Sequence, residues 1–228
     1  MQKGTQLATV QGIIQRELSR LAKASINVTS AGRTDTGVHA RGQVINFYSG
    51  NWLIPTDRVI YALNSVLPFD IRALSAEEVP DSFHARYSAV AKTYSYYICR
   101  EDIVSPFTRL YSYHNNSSMD LMAMRRAAQY LIGEHDFRSF MASGSSVKTT
   151  VRKLFQLDLL EKDGMIILTY CGNGFLYNMV RIITGTLLLI GTGKKHYSVV
   201  EEILNSCDRR LAGPTLPAHG LFLEKVEY

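Results

Sequence analysis

Apolar residues recur at three- and four-residue steps through Leu7, Val10, Ile14, Leu18 and Leu21, which predicts an amphipathic helix over residues 6–23 packed on a sheet. Ile26 to Thr29 then alternates apolar and polar side chains, and Gln43 to Tyr48 is rich in β-branched and aromatic residues, so each stretch predicts a strand. Pro55-Thr56-Asp57 supplies a helix start, with Val59, Ile60, Leu63 and Leu67 as its buried stripe. Ile71 to Val79 predicts another strand, ended by Pro80-Asp81.

The pattern from Ala91 to Arg100 is extended, with Tyr94, Tyr96 and Ile98 on one face and Thr93, Ser95, Tyr97 and Cys99 on the other. Ser118 or Asp120 caps a helix carrying Leu121, Met124, Ala128 and Leu131, and Gly133 stops it. Lys153 to Leu160 and Met165 to Cys171 flank the tight turn Glu161-Lys162-Asp163-Gly164 as a hairpin. Tyr177 to Ile190 predicts a helix closed by Gly191, Val199 to Cys207 a shorter one, and Leu221 to Val226 a last strand. Helices and strands mix throughout, without regular strand-helix-strand alternation. The expected fold class is therefore α/β of the α+β kind, a mixed and largely antiparallel sheet flanked by helices.

The 228 residues suffice for one large domain or two modest ones. Lys and Arg outnumber Asp and Glu by 25 to 20, an excess that permits a polyanionic partner without demanding one. Cys99, Cys171 and Cys207 are widely spaced and odd in number, which suggests buried free thiols in place of a disulfide framework or a zinc site. The six histidines show no metal-ligand spacing. The longest apolar run, Ile182 to Ile190, is broken by Thr184, Gly185 and Thr186 and falls far short of the roughly 20 residues a bilayer requires. Residues 1–20 lack the uninterrupted apolar core of a signal peptide, so a cytoplasmic protein is expected.

Candidate chemistry concentrates in Ala31-Gly32-Arg33-Thr34-Asp35-Thr36-Gly37-Val38-His39-Ala40, where an acid sits in a glycine-bracketed turn between two predicted strands. Asp35 there is either a turn residue bonded to its own backbone or a carboxylate held rigidly toward a cleft. Arg181 lies in a mostly apolar helical stretch, with Tyr177 and Gly185 along the same four-residue stripe. Its guanidinium either snorkels at the helix edge or pairs with an anion, because an unpaired buried charge costs several kcal/mol. Gly191-Thr192-Gly193-Lys194-Lys195 superficially suggests a phosphate loop, but Leu188 and Lys195 occupy the places where that motif needs Gly and Ser or Thr. The segment reads as a helix C-cap with basic residues facing the helix dipole.

Five ordered segments carry a family resemblance. Gly32-Arg33-Thr34-Asp35 with Gly37-Val38-His39, Phe83 to Arg86, Ala91 to Tyr96, Gly133 to Phe137 and Asn173 to Arg181 together resemble the TruA-type tRNA pseudouridine synthases. The resemblance implies the pseudouridine synthase fold: two similar halves sharing one sheet, with a cleft between them. Residues 1–88 would carry the catalytic Asp turn and residues 89–228 the Tyr strand and the Arg helix. It also implies a strand and a Gly-Trp-Gln-like segment before the first helix, which a sequence opening at Met1-Gln2-Lys3 does not display. A missing strand would expose a sheet edge.

By the same resemblance the activity is isomerisation of uridine to pseudouridine at positions 38 to 40 of the tRNA anticodon stem-loop, by a cytoplasmic homodimer without cofactor or metal. Asp35 would be the catalytic group, as nucleophile or as the base assisting glycal formation, with Arg181 as its ion-pair partner in a site closed to water. Tyr94, otherwise a core aromatic, would face the target base. Arg33, otherwise exposed, would fill the stack the uridine vacates or hold a phosphate. Basic groups at Arg125-Arg126, Lys148, Arg152-Lys153, Lys194-Lys195 and Arg209-Arg210 either line an RNA cleft or are solvated faces. The alternative function is a catalytically impaired tRNA-binding or tRNA-folding module retaining the same cleft.

Overall fold

The computed structural model describes residues 9–50, 52–144 and 147–228. Its elements run α1 (Val10–Ala22), β1 (Thr29–Ser30), β2 (His39–Ala40), β3 (Ile45–Asn46), α2 (Thr56–Asn64), β4 (Ala91–Cys99), β5 (Tyr113–His114), α3 (Leu121–Gln129), β6 (Gly133–Asp136), β7 (Val151–Lys162), β8 (Met165–Gly172), α4 (Met179–Gly191), α5 (Val199–Ser206) and β9 (Leu221–Glu227). They form two compact units. One holds the described residues up to Arg33 together with Val44–Ser88, the other Thr34–Gln43 with Ala89–Tyr228. The turn carrying Asp35 thus belongs to the second unit.

In the first unit, α1 begins where Thr9 accepts from the Gly12 amide at 3.1 Å, and residues 6–8 of the predicted helix lie outside the described residues. Leu18 from α1 and Leu63 from α2 bury against Ile26, Val28, Leu67 and Ile71. The strands expected over 26–29 and 43–48 shrink to the two-residue pair β1 and β3, which form their own two-stranded antiparallel sheet. Of the strands described in residues 1–88, β2 joins the large sheet by pairing with β9, whereas β1 and β3 pair with each other. The strand expected over Ile71 to Val79 does not form either. There the Asn64 carboxamide donates to the Ala73 carbonyl and accepts from its amide, both at 2.8 Å, taking the place of a partner strand.

The second unit is built on a seven-stranded sheet in the order β2-β9-β4-β8-β7-β6, with β5 also paired to β4. Only the short β2 and β5 run parallel to their neighbours, so the sheet is mixed and largely antiparallel, as the sequence predicts. Asp120 caps α3 by accepting from the Ala123 amide at 2.9 Å. Both β4 and the β7–β8 hairpin appear where expected, whereas β2, β5 and β6 are additional.

Helices α3 and α4 pack on this sheet, and Met124, Ile183, Leu187 and Ile203 of α3, α4 and α5 share one buried cluster with Tyr96, Leu154, Leu168 and Tyr170. Of the cysteines, Cys99 is buried and the other two are half-buried, all free. Helix α4 ends at Thr192, and the Lys194 amide donates to the Leu189 carbonyl at 2.8 Å, which makes the glycine-lysine segment a helix terminus. Among the described residues no helix is long and apolar enough to cross a membrane.

Candidate active site

A tight turn presents Asp35. The Val38 amide donates to the Asp35 carbonyl at 3.0 Å, and Gly37 takes φ +84° at the third turn position, where a side chain would be strained. Directly after the turn, β2 pairs in parallel with β9 through His39 and Phe222, which anchors the acid to the edge of the large sheet. The main chain closes the turn, which leaves the Asp35 carboxylate directed at Arg181, with Oδ2 3.5 Å from Nη1.

Arg181 is held from two sides. Its Nε donates to the Leu216 carbonyl at 2.6 Å, and its Nη1 donates to Asn178 Oδ1 at 2.6 Å. The Leu216 amide donates back to the Arg181 carbonyl at 3.3 Å, so the segment before β9 is laced to α4. That approach requires Gly185, one turn further along α4, because a Cβ there would collide with the Pro214 carbonyl oxygen. The helix starts later than predicted. Asn178 adopts a left-handed conformation (φ 60°) as N-cap, which leaves Tyr177 outside α4 and reduces the expected stripe to Arg181 and Gly185. Asparagine is among the few residues that tolerate this conformation.

The Arg181 side chain is 15% exposed and that of Asp35 33%. This corrects the expectation of a deeply buried pair: the acid stands at a solvent-reachable edge, and the guanidinium behind it is the desolvated partner. At 3.5 Å the contact is looser than a charge-assisted hydrogen bond of about 2.7–2.9 Å.

Tyr94 lies on β4 beside a β-bulge, where the pairing with β9 slips between Thr93 and Tyr94 and leaves Glu224 as the extra residue. Bulges of this kind re-aim neighbouring side chains. The Tyr94 ring meets Phe175 edge-on at 5.0 Å between centroids. Burial first, and then the negative charge of Asp35, push its phenol up to about 12. One strand position further into the core, burial also raises Tyr96, against the opposing charge of Arg181, and its hydroxyl donates to the Pro217 carbonyl at 2.8 Å.

The structure therefore brings Asp35, Arg181 and Tyr94 together. Arg33 is exposed and belongs to the first unit. Sequence reasoning missed Asn178 and the Leu216 carbonyl. Asn178 stands three residues before Arg181, a spacing at which helical side chains meet, and this was its available signal. A main-chain carbonyl leaves none. Among the described residues no three His, Cys, Asp or Glu side chains gather as a metal ion would need.

The structure thus sets a carboxylate, a clamped guanidinium and a tyrosine ring edge-on to Phe175 close together. Comparison with known proteins assigns the class. A family model described as tRNA pseudouridine synthase matches residues 1–88 and 127–228. The chain is 46% identical over 221 residues to a Ruminiclostridium cellulolyticum protein named tRNA pseudouridine synthase A, covering 96% of this chain and 90% of that relative. Proteins of the same name from Moorella thermoacetica and Bacillus subtilis are 49% and 46% identical over 220 and 222 residues, each covering 96% of this chain and 89% and 90% of the relative. The chain belongs to the tRNA pseudouridine synthase family, whose members are isomerases that modify tRNA.

Proposed function

We propose that this chain converts uridine to pseudouridine at positions 38 to 40 of the tRNA anticodon stem-loop, with Asp35 as the catalytic group. The observation that carries the reading is the Asp35–Arg181 pair: one carboxylate oxygen faces a clamped guanidinium while a third of the side chain stays open to a substrate. In the reaction the bond from N1 to ribose C1′ breaks, the base turns, and C5 bonds to C1′. The C5 proton leaves to solvent and N1 gains one, so the change is an isomerisation.

Asp35 acts as nucleophile toward the nucleotide or as the base assisting glycal formation, and Arg181 orients its carboxylate. A stacked uridine cannot present C1′ to a carboxylate, so the base is extruded at a cost of a few kcal/mol. Stacking on an aromatic ring returns about 1–3 kcal/mol, which is the role given to Tyr94. Arg33 then fills the vacated stack or contacts a phosphate. By family likeness the enzyme works as a cytoplasmic homodimer.

The test uses unmodified tRNA tritiated at uridine C5. The wild-type chain is expected to release tritium and to place pseudouridine in the anticodon arm, whereas Asp35→Asn binds tRNA but releases none. Normal release by Asp35→Asn would remove Asp35 from the chemistry. Binding without release by the wild type would establish the RNA-binding module instead.

A further inference from the structure

We propose that a cavity beside the Arg181 clamp, lined by Arg138, Ser143, Cys207, Arg209 and Thr215, binds a backbone phosphodiester of the RNA close to the target nucleotide. The proposal rests on the tRNA-modifying reading above and adds a subsite to it.

The cavity is an open surface pocket of about 470 Å³, with Met141 and Ala142 also on its walls. Its lining contains two guanidiniums and two hydroxyls and no carboxylate. Arg209 is half-buried, yet its partners are neutral: the Ala212 carbonyl at 3.4 Å and Thr215 Oγ1 at 3.3 Å. The adjacent Asp208 is engaged by Arg210 at 2.6 Å. Burial lowers the pKa of Arg209, the mark of a cation that has lost water without gaining an anion. Arg138, also on the lining, pairs with Asp136 at 3.6 Å and remains largely exposed. A phosphate oxygen matches this donor set, since guanidinium forks and hydroxyls are its usual partners.

Two paths, each made of one hydrogen bond and one peptide bond, join the cavity to the residues that hold Arg181. Thr215 directly precedes Leu216, whose carbonyl receives Arg181 Nε. Ala142, also on the lining, donates its amide at 3.1 Å to the carbonyl of Tyr177, the neighbour of Asn178. A phosphate seated here would sit against the same two segments that aim Arg181. Binding energy taken from the backbone would thus hold the extruded nucleotide in register with Asp35.

The experiment measures tRNA affinity across a salt series for the full chain carrying Arg209→Gln, Arg209→Lys or Arg138→Gln, with thermal melts alongside. Glutamine can keep the bonds to Ala212 and Thr215 while removing the charge; lysine keeps the charge. The expected result is a severalfold loss of affinity and a shallower salt slope, by about one phosphate contact, in Arg209→Gln, with recovery in Arg209→Lys. Arg138→Gln, a surface change, should weaken binding in the same direction. Wild-type affinity and slope in both glutamine variants would overturn the proposal. So would equal defects and equally lowered melting in Arg209→Gln and Arg209→Lys, since that pattern marks a structural arginine. A site for free phosphate would appear as wild-type stabilisation by inorganic phosphate with tRNA binding unchanged in the variants, which also overturns it. None of these readouts requires turnover, so a failure of the catalytic reading would be seen separately, in tritium release.

Discussion

Asn178 Oδ1 accepts a hydrogen bond from Arg181 Nη1 at 2.6 Å, while the same nitrogen stands 3.5 Å from Asp35 Oδ2. The neutral partner thus sets where the guanidinium points, and the carboxylate meets it there. A left-handed backbone at φ 60° places the amide, so two properties of Asn178 are used at once. Replacing it by glycine separates them, because glycine adopts that conformation freely but lacks the acceptor. A hydrogen bond to a charged group is worth about 1.5–3 kcal/mol, or roughly 10- to 100-fold in rate if it is realised in the transition state. Asn178→Gly should lower kcat on tRNA within that range with little change in melting temperature. Unchanged kcat would show that Leu216 alone orients Arg181.

Removing Arg181 acts mainly on its own contacts. Arg181→Leu strands the buried Leu216 carbonyl, which predicts a loss of about 1–3 kcal/mol in urea unfolding. Asp35, a third exposed, remains hydrated, so Asp35→Asn should change stability by less than about 1 kcal/mol. Combining the two changes should give a coupling no larger than that. A coupling of about 3 kcal/mol or more would reveal a tightly buried pair and contradict the exposure seen for Asp35.

The parts of this fold written in long periodic stretches were legible: the capped α3, the alternating β4, the β7–β8 hairpin and the apolar α4. What escaped was short or non-local. His39 and Ala40 form a strand only because Phe222 and Leu223, remote in sequence, run beside them. The extended stretch after Ile71 carries strand-like residues, but Asn64 satisfies Ala73 through a side chain, an arrangement that no hydrophobic pattern encodes. At the site, residue type and spacing left Asp35, Tyr94 and Arg181 open, and only the family resemblance grouped these three residues, which lie close together in the structure. The carbonyl of Leu216 was not legible, since its role depends on where the main chain passes and on no property of leucine.

Passage of that main chain depends on Gly185. A methyl group there would collide with the Pro214 carbonyl oxygen, and the residues behind it, Thr184 and Thr186, are fully buried and cannot yield space. Gly185→Ala should therefore push residues 214–216 away from α4 and cost about 1–3 kcal/mol, as overpacking does. It should also lower kcat, because Leu216 leaves Arg181. Urea unfolding and single-turnover rates check both; a stable, fully active variant would show that the segment adapts without disturbing the clamp.

Alkaline pH tests the surroundings of Tyr94. Below its ordinary value near 10 the phenol is protonated in both the folded and the unfolded chain, so it contributes no pH dependence. Between about 10 and about 12 the unfolded chain releases the proton while the folded chain retains it. The unfolded state then binds fewer protons, and stability falls as pH rises through this window. For Tyr94 the fall is on the order of 3 kcal/mol across the window. The raised phenols of Tyr96 and Tyr170 act in the same direction, so Tyr94→Phe should reduce the slope without abolishing it. Urea unfolding at pH values on either side of about 10 would measure the slope, with tyrosinate absorbance following the titration. In Asp35→Asn the phenol of Tyr94 should ionise at lower pH, because one of the two causes of its rise is gone. An unchanged titration would mean that burial alone raises it, and that the acid and the ring are not electrostatically coupled.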